Sequence, residues 1–214
     1  MKRVVLVLMV VMLGVSVFAE KPMLARLHYA GGGDWYNDAD TLPNYAAFLN
    51  KNLNTDFALE EKAVKPGSSE LFNYPFVFMT GHGNISFSDK DADNLRQYLL
   101  RGGFLFADDD YGMDDSFRRE IKKVFPEKEL TELPASHELF SCYYNLEGLD
   151  KIHKHDDKRP QIFAVFDDYG KIMVLYTFET NISDGWSNAH KDPQAKKEEA
   201  FRIGANIFWY MFTH

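Results

Sequence analysis

Short apolar runs and amphipathic stretches alternate along the chain, and their periods predict the elements. Leu24 to Ala30 reads as a first strand. From Thr41 to Asn52, Leu42, Tyr45, Ala46 and Leu49, continued by Leu53, recur at helical spacing and predict one buried stripe. Pro43 falls in the first turn, where its missing N–H is not needed. Asp56 to Glu60 reads as a short strand and Lys62 to Ser69 as a turn-rich connection. Phe76 to Met79 is an apolar run. Ser88 and Asp91 make a capping box for a helix whose inner face is Ala92, Leu95, Tyr98 and Leu99. Gly102 and Gly103 stop that helix, and a second apolar run, Phe104 to Ala107, follows at once.

Beyond it, Asp114 or Asp115 is expected to cap a helix that buries Phe117, Ile121, Val124 and Phe125, turns Arg118, Arg119, Lys122 and Lys123 outward, and ends at Pro126. Residues 127–160 show no clear period; a connection this long is either functional or partly disordered. Gln161 to Phe166 and Lys171 to Phe178 flank Asp167-Asp168-Tyr169-Gly170, a hairpin signal. The aspartates there read as turn formers. Asp192-Pro193 opens a last helix with Ala200, Ile203, Gly204, Ile207 and Met211 on one face. The whole predicts an α/β domain with a mostly parallel sheet and a C-terminal hairpin.

The stretch from Phe76 to Gly112 organises the rest. Strand, helix and strand form a βαβ unit, whose crossover is right-handed with few exceptions. The loops after both strands therefore open on one edge of the sheet, where α/β ligand sites lie. That brings Gly81, His82 and Gly83 near Asp108, Asp109 and Asp110 despite their separation in sequence.

Composition narrows the partners. Lys2-Arg3, the apolar run Val4 to Phe18 and Val17-Phe18-Ala19 read as a secretory signal over residues 1–19, cleaved after Ala19. Its apolar core is shorter than the roughly twenty residues of a bilayer span. Residues 20–214 are then one exported domain, periplasmic or secreted, with no later membrane span expected. Without residues 1–19, 22 basic residues face 32 acidic ones, which argues against nucleic acid as a partner. Cys142 is the single cysteine, so no intrachain disulfide can form.

The Thr80-Gly81-His82-Gly83 turn, the helix end Leu99-Leu100-Arg101-Gly102-Gly103 and Phe104 to Asp109 together resemble an uncharacterised bacterial family, domain of unknown function 4159. Phe117 to Glu120, Leu133-Pro134 with His137 to Phe140, and Asp184-Gly185-Trp186 resemble the same family. The resemblance implies a flavodoxin-like, three-layer fold of the class I glutamine amidotransferase type, and no activity. In amidotransferases a Gly-Gly strand leads to a nucleophile elbow bearing cysteine. Asp109 stands in that place here, Asp110 and Tyr111 depart from the elbow, and Cys142 lies elsewhere, which speaks against a thiol glutaminase.

Three readings of the rim remain. The first is a cell-envelope binding or assembly module for a small molecule, carbohydrate or peptidoglycan fragment. Gly32, Asp34, Trp35, Gly81, Gly83, Tyr111, Asp184 and Trp186 would line it, with the aromatic rings as stacking surfaces. The alternative is a metal-assisted hydrolase. There His82, Asp108, Asp109 and Asp110 hold Zn²⁺, Mn²⁺ or Mg²⁺, joined by Asp184 or His137, or His82, Asp109 and Asp108 act without metal as acid, base or nucleophile. The third is structural, with the aspartates capping the next helix. His153 and His155 also invite a metal reading, although histidines in a charged loop are usually solvated.

Overall fold

A computed structural model describes residues 20–149, 152–153 and 157–214; the proposed signal sequence and His155 lie outside the described residues. Seven strands form one mixed sheet. They are β1 (Leu24–Leu27), β2 (Glu61–Val64), β3 (Phe76–His82), β4 (Phe104–Tyr111), β5 (Thr131–Glu132), β6 (Gln161–Phe166) and β7 (Ile172–Phe178). Their order is β2-β1-β3-β4-β7-β6-β5. Pairs from β2 to β7 in that order are parallel, and β6 pairs antiparallel with both β7 and β5. Among the described residues the α-helices are α1 (Thr41–Asn52), α2 (Asp89–Leu100), α3 (Asp114–Val124) and α4 (Gln194–Thr213).

Alternation along the strands builds two apolar cores. Phe76, Phe78, Phe104 and Phe106 face α1 and α4, where they meet Tyr45, Leu49, Ile203 and Ile207. Val77, Met79, Leu105 and Ala107 face α2 and α3, against Leu95, Leu99, Phe117 and Ile121. Strands covered on both sides read as continuous apolar runs, which is why β3 and β4 stand out in the sequence. Ser88 and Asp91 close the capping box of α2 as expected. Asp167 accepts from the amides of Tyr169 and Lys171, making the hairpin turn.

Three local expectations need correction. The second strand is Glu61–Val64, not Asp56 to Glu60; Lys62 and Ala63 lie exposed on an edge strand, so it carries no apolar run. Residues 57 and 58 serve instead as loop anchors, their amides donating to Asn50 and Pro22. Strand β4 continues through the acidic triplet, because buried hydroxyls and amides rather than solvent receive the first of its carboxylates. Helix α3 is preceded by Met113, and Asp114 and Asp115 occupy its first turn without capping it. There they complement the positive end of the helix dipole. No helix among the described residues is long and apolar enough to cross a membrane.

Candidate functional site

The chain leaves β1 for its neighbour β2 on one side and returns to β3 on the other. Loops after β1 and β3 therefore diverge, opening a crevice at their carboxyl ends. Asp34, from the first loop, and His82, ending β3, meet across it. Asp34 Oδ2 lies 3.0 Å from His82 Nδ1, and Asp34 Oδ1 accepts the His82 amide. Gly81 makes this approach possible: its φ is +138°, and a Cβ there would collide with the Tyr29 hydroxyl and Asp34. The glycine-rich loop is used internally, since the amides of Gly33 and Asp34 donate to the carbonyls of Asn84 and His82. Gly32 and Gly83 have open space around them.

Register between β3 and β4 shifts here: Gly81 opposes Asp109, but His82 opposes Tyr111. Asp110 is the extra residue of a bulge, the device that re-aims a side chain at a strand end. Its Oδ2 lies 3.3 Å from His82 Nε2. Asn37 donates to the same oxygen, and Asn181 donates to Asp110 Oδ1 at 3.2 Å and to its carbonyl at 2.6 Å. His82, 43% exposed on its side chain, is thus held between Asp34 and the buried Asp110.

The other two aspartates part company. Asp108 is fully buried on the α1/α4 side. Its carboxylate accepts from the hydroxyls of Thr177, Thr180 and Ser183 and from the Ser183 amide at 2.7 Å. Burial pushes its pKa up, against the pull of those hydrogen bonds. Asp109 points to the α2/α3 side, accepting from the Met113 amide at 3.1 Å and lying 3.2 Å from the Tyr176 hydroxyl. That hydroxyl is also 2.9 Å from Asp114. One O–H cannot serve two carboxylates, and a proton on Asp109 resolves the conflict. Burial accordingly raises Asp109 to a pKa of about 7. The four proposed metal ligands therefore do not converge: His82 meets Asp110, Asp108 is enclosed by hydroxyls, and Asp109 faces away.

A cavity of about 250 Å³ opens beside this rim. Among the described residues Asp109, Asp110, Asp114, Asp115 and Glu179 line it, with Lys158, Phe178 and Tyr111. Tyr111 is half exposed. Glu179 and Asn181, with Asp38 in the loop after β1, adopt positive φ of 58°, 53° and 48°. Such conformations are uncommon for residues other than glycine and gather at functional sites.

Asp184 is buried, and its carboxyl is raised to about 9 by burial, then by the charges of Asp110, Asp108, Asp38 and Asp192. Trp186 cannot be a stacking surface. It is fully buried, stacked on Tyr45 at 4.0 Å, and donates Nε1–H to Ala200. Gly204 yields the room, since a Cβ there would sit 2.5 Å from the indole. Trp35 is half-buried, its ring stacked on His28 at 4.0 Å. His137 packs on Tyr210 and accepts the Leu139 amide, away from the rim residues.

Asn37, Asn181 and Arg26 are the parts that sequence reasoning misses. Arg26, fully buried in β1, pairs with Glu61 at 3.0 Å and donates to the carbonyls of Asn37 and Asp38. It thereby fixes the loop that carries Asn37 to Asp110. An arginine inside the run Leu24-Ala25-Arg26-Leu27 was the one available signal.

No curated protein shows significant similarity to the chain. Residues 23–212 match the family model of a domain of unknown function, DUF4159, and the chain belongs to that family.

Proposed function

We propose that the chain is an exported ligand-binding module whose pocket takes a small ligand bearing an ammonium group, such as an amino sugar or the amine of a cell-wall peptide. The observation that carries this reading is the lining of the cavity, where Asp110, Asp114, Asp115 and Glu179, beside the protonated Asp109, outnumber the single lysine in about 250 Å³, although Asp114 is paired with Arg118 at 2.7 Å. A positive group entering there is attracted at an effective dielectric well below that of water. Tyr111 at the mouth offers a ring face to a sugar or to the cation itself. The volume suits a single sugar or amino-acid unit rather than a long chain. The burial of Trp186 and the stacking of Trp35 argue against recognition by aromatic sandwiching, so charge is the stronger basis. Assignment to the cell envelope follows from the apolar leader.

Calorimetry with glucosamine, N-acetylglucosamine and amine-bearing muropeptides tests it. Ligands with a free amine should bind, weaken with added salt, and lose about tenfold or more with Asp115→Asn. Equal binding of acetylated and free amines, or no heat from any of them, overturns the proposal.

A hydrolytic reading is favoured by one arrangement, His82 with a carboxylate against each ring nitrogen. Asp34 would orient the imidazole through Nδ1, and a water or leaving group that displaces the 3.3 Å contact with Asp110 would exchange a proton with Nε2. Turnover of an amide or glycoside that disappears with His82→Ala, while ligand affinity stays, would favour this reading over simple binding.

A further inference from the structure

A second cluster uses none of the residues that line the cavity. His153, Asp184 and His190 each bring one donor atom to within 4.8 Å of the other two. They come from the segment before β6, the turn after β7 and the approach to α4, so three chain segments converge that no local pattern connects. Among the described residues, two buried carboxyl oxygens here have no hydrogen-bond partner, Asp184 Oδ2 and the neighbouring Asp192 Oδ2. The Asp184 side chain is 2% exposed and that of Asp192 8%. A buried carboxyl oxygen left unsatisfied is costly, and native structures rarely keep one without a reason.

We propose that His153, Asp184 and His190 bind a divalent transition-metal ion of the zinc type. Three donors no more than 4.8 Å apart can all lie within about 2.8 Å of one point, so small side-chain adjustments reach the 2.0–2.2 Å of zinc ligands. Two imidazoles and one carboxylate select zinc and its neighbours over calcium or magnesium, which prefer oxygen alone. The surroundings fit as well. Asp192 Oδ1 lies 3.1 Å from His153 Nδ1, the placement in which a carboxylate fixes a ligand's tautomer and orientation. Asp38 Oδ2 lies 2.6 Å from His190 Nε2, and Asp184 Oδ1 3.7 Å from it, so Asp38 stands beside the cluster as one further oxygen donor. Bound there, the ion would tie His153 to Asp184 and to His190 on the approach to α4.

The test uses the full chain, stripped with EDTA and titrated with Zn²⁺ under calorimetry and thermal unfolding, with Co²⁺ absorption as a spectroscopic check. One ion per chain should bind and raise Tm. His153→Ala and His190→Ala, both at partly exposed positions, should each weaken binding about 100-fold or more, and Asp192→Asn about 10- to 100-fold. His82→Ala should leave the affinity unchanged. No heat and no Tm rise with Zn²⁺, binding that survives both histidine substitutions, or binding lost with His82→Ala overturns the proposal.

Discussion

Asp108 and Asp109 are neighbours on one strand, equally buried, and differ in almost everything that matters. Asp108 faces α1 and α4 and is enclosed by Thr177, Thr180 and Ser183, so its carboxylate orders the chain that follows β7. Asp109 faces α2 and α3, shares one tyrosine hydroxyl with Asp114, and holds a proton up to about neutral pH. The difference teaches that burial alone assigns no role. Burial raises the pKa of both; the four donors aimed at Asp108 make it an anchor, and the hydroxyl that Asp109 shares with Asp114 makes a proton on Asp109 the way to resolve the contact.

The largest effect should come from Asp108→Ala. It leaves two threonine hydroxyls, a serine hydroxyl and an amide without their acceptor, and denaturant unfolding should show a loss of about 4 kcal/mol. A loss under about 1 kcal/mol would remove Asp108 as an anchor.

Asp109→Asn comes next, and its effect depends on pH. Because folding raises this pKa from 3.8 to about 7, protonation favours the folded state. That contribution is complete below the unfolded value and is lost as pH rises through the folded one. Wild type should therefore lose on the order of 2–3 kcal/mol from this group between pH 5 and 8. The asparagine variant should not, since its amide mimics the protonated acid toward Tyr176 and Met113. Parallel pH–stability curves for the two proteins would contradict the raised pKa.

His82→Ala should cost less than about 1 kcal/mol, since polar contacts of a half-exposed side chain add little to stability. Differential scanning calorimetry reads this directly. A large drop would make His82 a structural residue and count against the hydrolytic reading. Tyr111→Ala should be smallest in stability, within about 0.5 kcal/mol of wild type. It should still weaken amine-ligand affinity measurably, and unchanged affinity would exclude Tyr111 from the pocket.

Much of this architecture was legible in advance. Doubly covered strands must be apolar throughout, so Phe76 to Met79 and Phe104 to Ala107 announced themselves, as did the capping box at Ser88 and the turn at Asp167. The meeting of His82 with the acidic end of β4 followed from the parallel βαβ unit alone. The edge strand Glu61–Val64 escaped, because half of it faces water and its pattern is too short to show a period. Trp186 was misread for a related reason. A tryptophan among polar residues looks exposed, and only the packing of Gly204 and Tyr45 reveals the slot that swallows it.

What the sequence determined by itself is the fold class and the edge on which the chemistry-bearing residues gather, because periodicity and chain connectivity are local or nearly so. Which aspartate meets His82 was decided by tertiary structure. A one-residue bulge between β3 and β4 re-aims Asp110 toward the imidazole and, with strand alternation, leaves Asp109 on the opposite face. The cluster of His153, Asp184 and His190 belongs to the same category, since its members share no strand, helix or spacing. Side-chain direction at a bulge, and the convergence of distant loops, depend on contacts between segments far apart in sequence, and no local pattern encodes them.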